Sequence, residues 1–163
     1  MSGLVPLVPC VGHSSGHSSV RCKSCPFGYF NSSWNFNNNN TEGFICKFRG
    51  VDCWHADQNK VLHIRLSGMG LKGTLPRGLG YFTCLIDLDL SNNTLLGIIP
   101  FDIWTSMHYV RTLDLSSDHF SGEIPSSITN CTCLNVLKLN NNRLTSNLPK
   151  ELCLLKRLIE FNV

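Results

Sequence analysis

A motif of about 24 residues recurs four times in the chain, and this repeat limits the fold more than any other feature. Each copy contains an aliphatic residue followed by proline, and successive prolines are 24, 25 and 24 residues apart. A period of this length is typical of a solenoid, in which each repeat forms one coil and buries its apolar side chains against neighbouring coils. The aliphatic-proline pairs are at 75–76, 99–100, 124–125 and 148–149.

The spacing of leucines within each copy predicts the structure of one coil. An x-Leu-x-Leu segment alternates polar and apolar residues, which predicts a short strand with its leucines in the core. Gly and Ile-Pro follow, and the proline favours an extended or short 3₁₀ segment on the back of the coil. This is the pattern of the plant-type leucine-rich repeat. We therefore predict a curved leucine-rich-repeat solenoid of the α/β class, with short parallel strands on its concave face.

The ninth position of the motif follows the strand and is polar in three of the four copies. An asparagine at this point can turn the chain, because its side-chain amide can bond backbone groups of the loop and of the next coil. The four residues at this position are Met69, Asn93, Asp118 and Asn142.

Leucine content divides the chain, since 21 of its 23 leucines lie at or after Leu62. We assign 1–30 to an unstructured or unrelated leader, 31–60 to an amino-terminal cap, and 61–163 to four repeats plus the start of a fifth, without a carboxy-terminal cap. Solenoids need capped ends, so we expect a fragment or a truncated product. Prolines interrupt the apolar start of the leader, which has no recognisable signal peptide. No window approaches the roughly 18 to 20 apolar residues of a membrane helix.

Charge and motif content argue against several classes of function. Charged residues are only 15% of the chain and the net charge is +3, without the basic cluster of a nucleic-acid or membrane-surface protein. A G-x-G-x-x-G run at 68–73 and a G-x-S-x-G run at 12–16 lack the flanking elements of a dinucleotide site or a hydrolase. The cysteines and histidines within 10–25 fit no familiar zinc spacing. We expect no enzyme activity, cofactor, metal site or small-molecule substrate.

The strand alternation also predicts which residues face solvent on the concave side. Three aspartates form an acidic centre between Arg65 and Lys138, which is typical of a surface that recognises a protein or peptide. Two of them, Asp89 and Asp114, have the separation of a glycosidase pair, but an open sheet offers no pocket that excludes water. One predicted column is His63, Asp87, Thr112, Val136 and Glu160, and its neighbour is Arg65, Asp89, Asp114, Lys138 and Asn162.

The cysteines and the N-glycosylation sequons give indications of the cellular compartment of the protein. The chain has nine cysteines, so at least one is free or paired with another chain. Cys46 and Cys53 lie seven residues apart before the first strand, either as a disulfide or as two buried thiols, and Cys131 takes an inward apolar position. Four N-x-S/T sequons favour a secreted chain, at Asn31, Asn39, Asn92 and Asn130.

The segment before the repeats contains the runs NSSWNFN at 31–37, TEGFICKF at 41–48 and GVDCWH at 50–55. Together with the repeats, these runs resemble the start of the ectodomain in the BIR-type receptor-like pseudokinases of plants. The resemblance covers about 31–163.

This resemblance implies a membrane receptor whose small ectodomain, at the outer face of the plasma membrane, binds coreceptor ectodomains of the SERK type. Such binding restrains immune and growth signalling. It also implies a Cys46–Cys53 disulfide in the cap. We therefore hypothesise an extracellular protein-binding module, with a peptide as the other possible ligand. Alternative hypotheses are a secreted inhibitor of a pathogen wall-degrading enzyme and a non-functional truncated gene product.

Overall fold

The computed structural model describes residues 44–55, 58–75, 79, 82–145 and 148–163. The predicted leader, half of the predicted cap segment and the sequons at Asn31 and Asn39 lie outside the described residues. Short 3₁₀ helices cover Phe44–Lys47, Ser126–Asn130 and Lys150–Leu154. The other elements are β1 (Val51–His55), β2 (Gln58–Arg65), β3 (Lys72–Gly73), β4 (Asp87–Asp89), β5 (Thr94–Ile98), α1 (Phe101–Ser106), β6 (Thr112–Asp114), β7 (His119–Gly122), β8 (Val136–Lys138), β9 (Arg143–Leu144) and β10 (Glu160–Asn162).

The larger sheet has six described strands in the order β1-β2-β4-β6-β8-β10. The strands β2, β4, β6, β8 and β10 come from successive coils, and each pair of adjacent strands among them is parallel. The inward leucines of the central strands, Leu88, Leu113 and Leu137, are completely buried. These observations confirm the predicted leucine-rich-repeat solenoid, including the strand of the fifth coil.

A second sheet, β3-β5-β7-β9, forms where each coil turns away from the concave side. The sequence pattern predicted extended backbone here but gave no indication of this sheet. Gly97 and Gly122 have a left-handed backbone with φ of 84°. A Cβ atom on them would lie 3.0 Å from the Cγ2 of Thr74 and of Ile98, respectively. The glycine of the motif therefore permits the close approach of neighbouring coils at this sheet.

The backs of the coils agree with the prediction in two places and differ in one. The predicted 3₁₀ segments are present at Ser126–Asn130 and Lys150–Leu154. In the coil that follows Pro100, the backing is instead the short α-helix α1, which buries Ile103 and Trp104 completely. This is the coil with the 25-residue spacing, so the additional residue widens a 3₁₀ turn into an α-helical turn.

The amino-terminal cap closes the first coil with a hairpin and a disulfide. Cys46 and Cys53 are bonded, with their Cα atoms 5.6 Å apart. Strand β1 pairs antiparallel with β2, and Gly50 lies so close to β2 that a Cβ atom there would collide with the carbonyl oxygen of Arg65. Since β2 begins at Gln58, the hairpin crosses the predicted boundary between cap and repeats.

Asparagines at the ninth position of the motif connect adjacent coils. Asn93 is 7% exposed, and its Oδ1 accepts a hydrogen bond from the backbone N–H of Leu71 at 2.9 Å. Its Nδ2 donates to the carbonyl oxygens of Leu66 at 3.0 Å and Leu90 at 2.6 Å. Asn142, two coils further on, makes the equivalent bonds with the N–H of Phe120 and the carbonyl oxygens of Leu115 and Leu139. The predicted role is correct, except that the coil bonded is the preceding one rather than the next.

Asp118 occupies the same position in the intervening coil but has no side-chain donor. It is 3% exposed, and its Oδ1 accepts a hydrogen bond from the backbone N–H of Leu95 at 2.8 Å. Its Oδ2 has no partner within the described part of the chain. Burial raises the pKa of Asp118 from 3.8 to about 6, although the hydrogen bond from Leu95 and the nearby His119 oppose the shift. Burial therefore shifts the protonation equilibrium of this carboxyl group toward its neutral form.

Replacing Asp118 with asparagine should stabilise the fold by about 1 to 3 kcal/mol at neutral pH, because the amide supplies the missing donor. With a folded pKa raised from 3.8 to about 6, the stability contributed by neutral Asp118 is present below about pH 4 and is lost as pH rises through about 6. The gain from asparagine should thus be larger near pH 8 than near pH 4. Urea unfolding of both proteins at the two pH values measures it, and equal stability at both would contradict it.

Four described cysteines are outside the disulfide. Cys131 is completely buried, as predicted, and burial raises the pKa of its thiol to about 12. The protonated thiol therefore packs as a small apolar group. Cys84 and Cys153 are exposed and Cys133 is half-buried.

Candidate protein-binding face

Strand register brings the ten predicted concave-face residues into two parallel columns. His63 lies opposite Asp87, and Asp89 lies opposite Asp114. Further along, Lys138 lies opposite both Asp114 and Asn162. None of the ten side chains is fully buried. We use the term concave face for these ten residues, His63, Arg65, Asp87, Asp89, Thr112, Asp114, Val136, Lys138, Glu160 and Asn162.

At the cap end of the concave face, charged side chains are paired with one another. The Nδ1 of His63 lies 2.7 Å from the Oδ2 of Asp87, and Arg65 donates to the same oxygen at 3.2 Å. Arg65 also donates to Asp52 at 2.7 Å. The predicted basic charge of Arg65 is therefore shared between two carboxylates.

Asp52 also belongs to this cluster, although the repeat alignment did not predict it. It lies on β1, which is not a repeat strand, and it pairs with His63 across the antiparallel hairpin. A columnar alignment of repeats leaves out the cap. The only signal in the sequence was the alternation of buried Val51 and exposed Asp52, which continues the strand pattern into the cap.

At the other end of the concave face, Lys138 is paired with Glu160. Its Nζ lies 3.0 Å from the Glu160 carboxylate. The hydrogen bond to Glu160, and then the charge of Glu160, raise the pKa of Lys138, with smaller contributions from Asp114 and Asp89. The ammonium group therefore remains charged across the physiological range.

The two central aspartates, Asp89 and Asp114, have no cationic partner among the described residues, but each accepts hydrogen bonds from the serine two residues further along the chain. The Oδ1 of Asp89 accepts hydrogen bonds from the N–H and the Oγ of Ser91, at 3.0 and 2.7 Å. The Oδ1 of Asp114 accepts the same pair from Ser116, at 3.0 and 2.6 Å. Neither carboxylate forms an ion pair with a described residue. They are thus two negative charges of fixed orientation on adjacent strands.

The shape and chemistry of the concave face favour recognition of another macromolecule. A cleft lined by Thr129, Cys133, Leu155 and Arg157 lies at the backs of the last two coils, away from the concave face. No group of three or more potential metal ligands occurs among the described residues. In the same part of the chain, no helix has the length and apolar character needed to cross a membrane. An open, half-exposed face with ordered charges is typical of a protein-binding surface.

Comparisons with known proteins support the leucine-rich-repeat fold and indicate the protein family. The Leucine Rich Repeat family matches residues 84–106 and 109–131. A probably inactive leucine-rich repeat receptor-like protein kinase of Arabidopsis thaliana is 50% identical over 74 residues, which are 45% of this chain and 12% of that protein. The chain therefore spans about an eighth of the length of the curated relatives it matches first.

Solved ectodomain structures match most of the chain. The crystal structure of the BIR2 ectodomain from Arabidopsis thaliana has a TM-score of 0.79 and 40% identity, covering 86% of this chain and 72% of that one. A chain in the crystal structure of the BIR3–SERK2 complex from the same plant has a TM-score of 0.76 and 38% identity, covering 84% and 72%. This chain therefore belongs to the BIR-type family of plant leucine-rich-repeat receptor ectodomains.

Proposed function

We propose that this chain is an extracellular interaction module that binds a coreceptor ectodomain of the SERK type through its concave face, and thereby regulates immune and growth signalling. The observation that carries the proposal is the pair of ordered, unpaired carboxylates, Asp89 and Asp114, at the centre of that face. A similar ectodomain architecture occurs in the BIR3–SERK2 complex. The proposed location is the outer face of the plasma membrane.

Charge complementarity defines what the partner must offer. The pairs Arg65–Asp87 and Lys138–Glu160 compensate the two ends of the concave face. The central carboxylates remain for a partner, and a basic side chain placed against them would fix the register of the complex. Val136, half-buried in the neighbouring column, supplies an apolar contact next to them.

The proposed action is binding rather than catalysis. Two of the relatives with matching repeats are named as an inactive and a probably inactive receptor kinase. No observation specifically favours the alternative hypothesis of a secreted enzyme inhibitor.

Reversing the central charges should weaken binding at least tenfold. We expect the full chain to bind the SERK2 ectodomain, and Asp89→Lys/Asp114→Lys to lose about 1.4 kcal/mol or more of binding free energy. The physical reason is that like charges would then face the partner's basic side chain. Biolayer interferometry gives the dissociation constants. Asp89→Asn/Asp114→Asn retains the Oδ1 acceptor for each serine, so it should bind with intermediate affinity.

The matched control is Glu123→Lys/Glu151→Lys, which makes the same change of net charge at two exposed residues outside the concave face. It should bind like the unmodified chain. If the Asp89/Asp114 reversal binds as tightly as this control, the concave-face assignment is wrong although the function stands. If the unmodified chain does not bind SERK2, the proposed partner is wrong.

A further inference from the structure

Two of the four sequons lie in the described part of the chain, and both acceptor asparagines are exposed. Asn92 follows β4 and Asn130 ends the 3₁₀ helix at Ser126–Asn130. Their hydroxyl partners, Thr94 and Thr132, are also exposed. Exposure matters because a sequon in a folded chain carries a bulky glycan only where the acceptor amide points to solvent.

The geometry distinguishes Asn92 from its neighbour Asn93. Asn93 uses its amide in the buried bonds between coils. The amide of Asn92 makes no hydrogen bond within the described residues, and its Nδ2 lies 3.5 Å from the point where Gly68 would carry a Cβ atom. Since Gly68 has no side chain, the space beside the amide is open. Asn92 has a left-handed backbone with φ of 56°, as does the equivalent turn residue Ser117 with 57°.

Asn130 lies on the back of the solenoid, and its side-chain amide is also accessible for glycosylation. Its backbone carbonyl accepts hydrogen bonds from His108 at 3.0 Å and from the N–H of Thr132 at 2.9 Å. Its side-chain amide has no hydrogen-bond partner in the described ranges. The backbone of Asn130 is therefore held in place while the acceptor amide is free.

We infer that Asn92 and Asn130 are N-glycosylation sites, with a glycan at the carboxyl-end rim of the concave face and another on the back of the solenoid. In the transfer, the amide nitrogen of asparagine bonds to C1 of an oligosaccharide carried by a lipid diphosphate. The bond between C1 and the diphosphate oxygen breaks, the lipid diphosphate leaves with the electron pair, and one amide proton passes to a base of the transferase.

The Asn92 glycan has a consequence for the concave face. Asn92 follows Ser91, whose N–H and Oγ hold the Asp89 carboxylate. A glycan at Asn92 therefore stands beside one of the two carboxylates proposed to contact the partner.

The test is glycopeptide mass spectrometry on the full chain, secreted from plant cells behind an added secretion signal. Enzymatic removal of N-glycans in heavy-oxygen water marks each occupied asparagine. We expect the mark at Asn92 and Asn130 and not at Asn93. Asn92→Gly removes one acceptor without straining the left-handed backbone, because glycine adopts positive φ readily. Thr132→Ala removes the second sequon and leaves the carbonyl bonded by His108 in place.

Each variant should lose the mass of one glycan, and the double variant should lose two. Thr94→Ser is the positive control, because serine preserves the sequon and its hydroxyl group. An unmodified Asn92 and Asn130 in the secreted chain would overturn the inference. So would an unchanged glycan mass in both single variants. The readout does not involve the coreceptor, so its failure is separate from a failure of the proposed function.

Discussion

Replacing Leu113 with alanine should lower the free energy of unfolding by about 3 to 5 kcal/mol. Leu113 is completely buried at the centre of the larger sheet, between Leu88 and Leu137 of the adjacent coils. A cavity there removes contacts on both sides, and the coils of a solenoid depend on their neighbours. Because small domains are stable by only about 5 to 15 kcal/mol, the loss is a large share of the total. Urea unfolding followed by circular dichroism measures it.

Leu96→Ala is the matched control, since it makes the same chemical change at a side chain that is 46% exposed on β5. It should cost less than about 1 kcal/mol, because an exposed leucine loses little buried area. Equal losses in the two variants would contradict the view that stacking of inward leucines stabilises this fold.

Replacing Asn93 with aspartate should destabilise the protein by about 2 to 5 kcal/mol at neutral pH. The substitution removes the donor to the carbonyl oxygens of Leu66 and Leu90 and places a buried carboxylate against them. At acidic pH the loss should shrink, since a protonated carboxyl group can donate one hydrogen bond. Thermal unfolding at several pH values between about 4 and 8 measures both effects.

Asn130→Asp is the control for this substitution, because it makes the same change at an exposed amide and should be nearly neutral. Asp118→Asn is the reciprocal exchange and should have the opposite sign. An Asn93→Asp variant as stable as the original chain at neutral pH would show that the amide bonds between coils contribute little net stability.

On the concave face, alignment of the repeats predicted the positions of the residues but not the pairing of their charges. Its ten residues fell into the predicted columns because a constant period forces residues 24 or 25 apart onto adjacent strands. Which charges pair along the face did not follow from the period. Pairing depends on side-chain reach and on a cap residue, Asp52, that belongs to no repeat. The face that looked like an acidic centre between two cations is an unpaired aspartate pair between two compensated clusters.

The resemblance in the cap predicted a disulfide that residue spacing alone left open. Cys46 and Cys53 are bonded across a turn that contains Gly50. The second sheet was not predicted, because two of its four described strands are only two residues long and carry no alternation of their own. Helix α1 was not predicted either, because the extra residue of the 25-residue repeat does not by itself indicate an α-helical turn rather than a 3₁₀ turn.

The sequence by itself determined the period, the inward leucines, the order of the parallel strands and the outward columns. These features follow from local alternation and from one repeated motif. Only the tertiary structure decided which polar and charged side chains have hydrogen-bond or ion-pair partners. Asn93 and Asp118 hold equivalent positions in the motif, yet only the amide donates to the adjacent backbone carbonyls. Hydrogen bonding and charge pairing depend on the positions of atoms from three coils at once, and a linear period does not contain those positions.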